Sequence, residues 1–369
     1  HEEATGRICA SNRSSTPGNG CRESIHQVTM NCNCIPLKQS HPEFDFIRIL
    51  AASLVVLLHV TALLESVSFS SADILRFNQI LNSSCFIAVP LFVMLSGALL
   101  LEHHRHESLV DFYKKRFRRL FFPVLIWSIM YLIIASLQND LTWKNILFMV
   151  LRGKPFYHLW YLYMLMGLYL LTPAFRRLFS ECNLKEKVWW TSLILLMVWL
   201  NDATDYILGM HRNGSPCLFF NLSIPFIGLF LCGSVLRELT ERKQISKVAL
   251  SGVVLVSIIT LTIIAYSGGK QWNSFVISYR SPVNNVAAIS CFYCFLCTCN
   301  KFAWNKLSVI GRSTLGVYLV HPLLLLILAP LFGSTIGWCG YFTLLIVTLL
   351  MSFLTALVGL HIYGLRKIF

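Results

Sequence analysis

Long apolar runs separated by short polar segments dominate the chain from residue 44 to its end. About 20 apolar residues in a helix cross a bilayer core about 30 Å thick. The pattern therefore predicts an all-α fold, a polytopic integral membrane protein of about ten transmembrane helices with no soluble catalytic domain. The predicted spans are approximately 46–66, 80–101, 119–138, 156–174, 187–202, 217–236, 247–266, 283–299, 314–332 and 341–363.

The composition agrees with this prediction, because 56% of the 369 residues are hydrophobic and only 13% are charged. A soluble domain carries about 25% charged residues. The net charge of +14 would suggest a nucleic-acid partner in a soluble protein, but here Lys and Arg cluster between the apolar runs. Cytoplasmic loops of membrane proteins collect such residues. We therefore expect membrane lipids, and no nucleic acid, as partners.

The first residues do not follow the membrane pattern. Residues 1–43 are largely polar, begin with HEEATGRICASNRSSTPGNG, and lack the apolar segment of a signal peptide. We predict a disordered or spurious N-terminal tail at residues 1–43, followed by one transmembrane domain at residues 44–369. Met30 is a candidate initiator, so residues 1–29 can be foreign to the natural protein. No soluble domain is expected after the last span.

The distribution of Lys and Arg orients the predicted helices. If the N-terminus is cytoplasmic, the inside loops and the C-terminal tail hold 19 of the 31 Lys and Arg residues, and the outside loops hold seven. Positive residues near short loops favour the cytoplasmic side. Both termini are therefore predicted to face the cytoplasm.

Arg48 and His59 are ionisable residues of the first span, with ten residues between them. Eleven helical steps return almost to the same direction and rise about 16 Å, so both side chains share one helix face. With Arg48 near the inner surface, His59 lies close to the membrane centre. Ionisable residues there are costly and commonly functional, and neutral imidazole can act as a general base. The alternative is a structural hydrogen bond to a neighbouring helix.

A basic cluster precedes the third span, where five of the six residues from Lys114 to Arg119 are cationic. Arg side chains bind phosphates through two parallel hydrogen bonds, so the cluster can hold a phosphorylated ligand. A topology signal or attraction to anionic lipid explains it equally well.

Two further histidines lie in apolar or aromatic surroundings. His158 stands in KPFYHLWYLYML at the outer end of the fourth span, where Trp and Tyr are also typical of an interfacial belt. His321 precedes Pro322 within an apolar run, and this proline is expected to kink the helix and free a carbonyl group.

Four cysteines occur in the segment CFYCFLCTC at residues 291–299. C-x-x-C spacing is found in soft-metal sites. No His or second Cys pair follows at zinc spacing, and Cys in an apolar helix behaves as a small hydrophobic residue. We therefore predict no metal site.

Several segments resemble, in order, those of acyltransferase family 3 membrane proteins. FDFIRILAASLVVLLHVTALL, which carries Arg48 and His59, is similar to the family's first helix, and AVPLFVMLSGALLL to its second. Arg116 and Arg119 match its R-x-x-R element. FYHLW and the late segment GRSTLGVYLVHP also match. The second-helix and FYHLW runs resemble those of the enterobacterial-common-antigen O-acetyltransferase type.

The resemblance implies an O-acyltransferase of the inner (plasma) membrane. Such enzymes move an acyl group, usually acetyl from acetyl-CoA, to a hydroxyl of a cell-surface glycan or lipid-linked saccharide. It implies that His59 and Arg48 are catalytic. The remaining candidates are Arg116, Arg118 and Arg119 for the CoA phosphates, and Asp45, Ser96, His158, Trp160 and His321 as substrate-binding or supporting residues.

Two other functions share the helix count and a buried histidine. A transporter or flippase of a lipid-linked saccharide should show related halves or interrupted helices at matching positions, and no such repeat is present. A sensor or assembly subunit would not need Arg48, His59 and the R-x-x-R element together.

Overall fold

The computed structural model describes residues 42–65, 68–102, 108–138, 140–208, 218–242, 278–299, 307–332 and 335–368. The predicted tail lies almost wholly outside these residues, and so does the predicted seventh span at 247–266. In the described part, the chain is helical apart from two strands of two residues each. The all-α class is therefore confirmed.

The described residues form the following helices, in chain order. Their bounds are α1 Pro42–Leu64, α2 Ala72–Cys85, α3 Ala88–Leu100, α4 Leu109–Arg116, α5 Phe122–Gln138, α6 Trp143–Leu151, α7 Trp160–Glu181, α8 Leu184–Ile207, α9 Ile227–Glu241, α10 Pro282–Cys299, α11 Leu307–Leu328 and α12 Trp338–His361. The strands β1, Ser68–Phe69, and β2, Thr335–Ile336, pair in parallel and join the segments that follow α1 and precede α12.

Six continuous helical segments in the described residues have the length and apolar composition needed to cross a membrane. They are Pro42–Leu64, Ala72–Leu100, Leu109–Gln138, Phe219–Glu241, Leu307–Phe332 and Trp338–His361. A shorter apolar helix covers the predicted eighth span, and α7 and α8 cover the fourth and fifth. The chain is thus a multi-pass membrane protein, while the number ten stays a prediction.

The second span begins earlier than predicted, at Ala72. Its first part is α2, whose Asn78 and Asn82 side chains donate to the backbone and hydroxyl oxygens of Thr61 on α1. Tyr341 of α12 completes this network by donating to the Asn78 side-chain oxygen. These buried bonds stabilise polar residues that an apolar pattern cannot register.

The predicted spans leave the basic cluster at residues 114–119 in the loop before the third span. The structure instead places it in helical segments. It lies at the end of α4 and in the π-helical turn Phe117–Phe121 that leads into α5. Such turns widen a helix by one residue and are frequent at functional sites. The cations are therefore fixed on a helix surface instead of a flexible loop.

Helix α1 lies at the centre of the bundle, where α2, α3, α10, α11 and α12 all contact it. Helices α3 and α9 cross closely at two glycines. A Cβ atom on Gly97 would lie 1.7 Å from the Phe230 carbonyl oxygen, and one on Gly233 would lie 1.8 Å from that of Met94. Small residues allow this backbone approach in membrane helices. The close packing explains Gly97 without a catalytic role.

Candidate active site

Three histidines from separate parts of the chain meet inside the bundle. His59 comes from α1, His321 from α11, and His158 from the turn that precedes α7. The His59 ring stacks on that of His321 with centroids 5.1 Å apart, and the His158 ring lies 5.4 Å from His321 and 6.5 Å from His59. The structure therefore brings together all three histidines that the sequence selected.

The backbone of α11 sets the tautomer of His321. The Nδ1 atom of His321 lies 3.2 Å from the Val317 carbonyl oxygen. A carbonyl only accepts, so Nδ1 carries the proton and Nε2 keeps its lone pair. Pro322 lacks an N–H group, so the Tyr318 carbonyl loses its usual helical donor. The His321 ring interacts with this carbonyl as well as with that of Val317. His321 thus presents an unprotonated nitrogen to the cluster.

His158 is fully buried in an aromatic enclosure. Its ring lies 4.9 Å from that of Tyr131 and 5.4 Å from that of Tyr318. Tyr318 donates its hydroxyl to the His158 carbonyl oxygen. Within the described residues, neither ring nitrogen of His158 has a hydrogen-bond partner. Buried polar atoms are normally paired, so these nitrogens are available to a substrate or to water.

His59 differs from the other two histidines because its side chain is only partly buried. Tyr157, which is half exposed, contacts it with ring centroids 5.0 Å apart. His59 is therefore the histidine of the cluster that a bound molecule can reach first.

Asp45 and Arg48 form an ion pair on the first turns of α1, with Arg48 Nη1 2.5 Å from Asp45 Oδ1. Helix α11 packs tightly against the same carboxylate. A Cβ atom on Gly311 would lie 2.8 Å from Asp45 Oδ1, so only glycine fits there without displacement. This explains the first glycine of the GRSTLG segment and fixes where the Arg48 guanidinium lies.

Several polar side chains interact with Arg48, with the histidines or with one another. Tyr169 interacts electrostatically with both Arg48 and Tyr161, and the Tyr161 hydroxyl bonds to Ser96. The Tyr161 and Tyr318 rings lie 5.5 Å apart, and Tyr318 contacts His158 and His321. Ser96 therefore belongs to this group of interacting side chains.

The basic cluster approaches Arg48. Arg119 is exposed and close enough to Arg48 for the two guanidinium charges to repel each other, and Arg118 is also exposed. Arg116 lies over the Phe112 ring at 5.0 Å, and Arg176 of α7 lies over the same ring at 4.7 Å. Cations gathered this closely favour an anionic ligand.

Several site residues were missed from the sequence. Arg176, Tyr161, Tyr169 and Tyr318 lie in the site, and Tyr157, first attributed to an interfacial belt, contacts His59. Their residue types gave no signal, because Tyr and Arg are common at membrane boundaries. Trp160 is not in ring contact with the histidines and instead packs against Phe226 and Tyr279.

The cysteine segment forms part of helix α10. Cys291, Cys294 and Cys297 are free thiols. Among the described residues, no group of three or more His, Cys, Asp or Glu side chains has a geometry suited to a metal ion.

Residues 41–357 match the family model described as an acyltransferase domain. The match covers most of the chain, and it includes every motif on which the resemblance rested. The chain therefore belongs to acyltransferase family 3 and is a membrane acyltransferase. No curated protein and no solved structure matches the chain.

Proposed function

We propose that the protein is an O-acetyltransferase that moves acetyl from acetyl-CoA to a hydroxyl of a cell-surface glycan or lipid-linked saccharide. The observation that carries the proposal is that helix α1 holds Arg48 near one end and, eleven residues further on, His59 within a cluster of three histidine rings. The cationic end suits the phosphates of CoA, and the histidine end suits proton transfer from a hydroxyl.

In the proposed reaction, the acceptor hydroxyl oxygen attacks the thioester carbonyl carbon. A C–O bond forms, the C–S bond breaks, and His59 takes the hydroxyl proton. The CoA thiolate leaves and receives that proton to become the free thiol. His321 Nε2, with its lone pair available, lies beside His59 and stabilises the imidazolium or relays the proton.

Arg48 has a different role in this proposal from that of the histidines. Its pair with Asp45 and the close packing of Gly311 fix the guanidinium in place. From there it orients the CoA moiety as the pantetheine arm extends past Tyr161 and Ser96. Fixed hydrogen-bonding groups of this kind raise the rate by positioning the reacting atoms.

Replacing Arg116 and Arg119 together with Ala is expected to weaken acetyl-CoA binding and to leave membrane insertion intact. Each lost contact to a charged phosphate should cost about 1.5–3 kcal/mol. Isothermal titration of the detergent-solubilised protein with acetyl-CoA measures the change. The matched control replaces Arg366 and Lys367, two cations near the C-terminus, and should retain the affinity. If the double variant binds acetyl-CoA with unchanged affinity, the basic cluster acts as a topology signal and does not bind CoA.

We also propose that the protein lies in the inner (plasma) membrane with both termini in the cytoplasm, where acetyl-CoA is found. The support is the excess of Lys and Arg in the loops assigned to the inside. A reporter fused after Phe369 is expected to read cytoplasmic, and one inserted at Ser334 extracytoplasmic. The reverse pair of signals would place the basic cluster outside and remove the proposed route for CoA.

An acyl-transfer assay separates this function from its rivals. Proteoliposomes containing the protein receive acetyl-CoA labelled in the acetyl group, with the saccharide-lipid fraction of cells lacking the gene as acceptor. Acyl transfer predicts label in the saccharide fraction together with release of the CoA thiol. Saccharide movement without thiol release would indicate a transporter, and neither change would indicate a sensor.

A further inference from the structure

A pair of buried asparagines at the start of α10 has unused hydrogen-bonding capacity. Asn284 and Asn285 are 0% and 1% exposed. Their side-chain nitrogens donate to the backbone carbonyls of Phe86 and Arg280, at 3.2 and 3.1 Å. Both side-chain oxygens are buried and accept no hydrogen bond within the described residues. A buried amide oxygen without a donor is costly, so this pair is suited to a ligand that supplies hydroxyl groups.

Aromatic rings lie beside this pair and extend toward the histidines. Tyr279 lies between Phe86 and Trp160, with ring centroids 4.8 and 5.4 Å away. Trp160 follows His158 by two residues, and the ring of the next residue, Tyr161, lies 5.5 Å from that of Tyr318 in the active site. The aromatic rings therefore extend from the asparagine pair toward the histidine cluster.

One charged pair in the described residues lies beside Asn285. Asp202 of α8 is buried and lies 2.8 Å from the guanidinium of Arg280, whose own backbone carbonyl holds Asn285. The groups that remain to meet a ligand are two neutral amide oxygens, which repel phosphate and carboxylate oxygens and accept from hydroxyl groups. The two amide oxygens therefore do not suit the phosphates of CoA, whereas the basic cluster around Arg119 does.

We propose that Asn284, Asn285, Trp160 and Tyr279 form the subsite for a sugar ring of the acceptor. The inference rests on the proposed function and names the part of the site that recognises the acceptor. Sugar hydroxyls donate to the two amide oxygens, and the apolar face of the ring packs on the aromatic side chains, a combination of apolar walls and a few placed polar groups that is typical of small-molecule sites. The hydroxyl to be acylated then faces the histidine cluster.

The test compares variants of the subsite in the purified full-length protein, with the deacylated envelope glycan of cells lacking the gene as acceptor and labelled acetyl-CoA as donor. Asn285→Leu and Trp160→Leu are expected to lower kcat/KM for the glycan by about tenfold or more, because a site built for hydroxyl groups loses discrimination when its polar partner is removed. The dissociation constant for acetyl-CoA should not change in either. Trp160→Phe should restore most of the transfer, since it keeps an aromatic ring.

The control is Trp338→Leu, which removes a ring of another aromatic cluster on α12, beside Phe77 and Phe342, and should transfer like the wild type. If Asn285→Leu fails to insert, the Trp160 variants decide. Wild-type transfer rates in Trp160→Leu, or a loss that Trp160→Phe does not restore, would overturn the subsite alone. Absence of transfer to the glycan by the wild type would overturn the proposed acceptor, and with it the subsite.

Discussion

Replacing His59 with Gln is expected to lower acyl transfer by about 10²- to 10⁴-fold, the usual contribution of general acid–base catalysis. Glutamine keeps a hydrogen-bonding group of similar size but cannot take a proton. The His59 side chain is partly exposed, stacks on His321 and contacts Tyr157, so the substitution removes chemistry without opening a large cavity. Acylation of the acceptor in complemented cells and acetyl-CoA binding by the purified variant measure the two functions separately.

The variants around His59 separate catalysis from stability. His59→Ala should also abolish transfer while protein abundance stays normal. His361→Gln is the matched control, because this histidine lies exposed at the end of α12 and, within the described residues, hydrogen-bonds to the Leu357 carbonyl of its own helix. A structural His59 would show the opposite pattern, with activity largely restored by Gln and abundance lowered by Ala. In that case His158 and His321 become the candidates for the base.

Replacing Gly97 with Ala should sharply lower the amount of folded protein. Its Cβ would stand 1.7 Å from the Phe230 carbonyl oxygen, which is backbone and cannot rotate away. Helices α3 and α9 would have to separate, and overpacking of this kind costs about 1–3 kcal/mol, occasionally more. Fluorescence-detected size-exclusion chromatography of the solubilised protein measures abundance and melting temperature together.

Gly364→Ala is the matched control for Gly97, because nothing lies within 4 Å of a Cβ atom at that position. It should leave both the yield and the melting temperature unchanged. A Gly97→Ala variant that folds and melts like the wild type would contradict the close crossing of α3 and α9. A variant that folds normally but has lost transfer would instead indicate a role for Gly97 in the reaction.

The sequence could predict the helical class and could select Arg48 and His59 as ionisable residues within the first membrane helix. Apolar runs report membrane spans directly, and an ionisable residue inside such a run is conspicuous. It also selected His158 and His321, since both interrupt apolar or aromatic segments. It could not show that these histidines meet His59, because that depends on how α1, α7 and α11 pack.

Other features lie beyond a hydropathy pattern for physical reasons. Helix α2 is amphipathic and partly polar, and it is held by side-chain bonds from Asn78 and Asn82 to Thr61 that form only in the folded bundle. The π-helical turn that carries Arg118 and Arg119 has no signature in residue type. Asn284 and Asn285 resemble an ordinary polar helix start in the sequence, and only their complete burial distinguishes them.

The most direct test of acyl transfer at the histidine cluster is a single-turnover measurement of acetyl-CoA cleavage by the purified protein. Enzyme in excess over acetyl-CoA is mixed with the acceptor fraction, and the free CoA thiol is followed with time. Wild-type protein should release one thiol for each acetyl group transferred, while His59→Gln should bind acetyl-CoA and release thiol at least about 100-fold more slowly. Equal rates of thiol release from the two proteins would contradict acyl transfer at the histidine cluster. The same holds if wild-type protein with bound acetyl-CoA and acceptor releases no thiol.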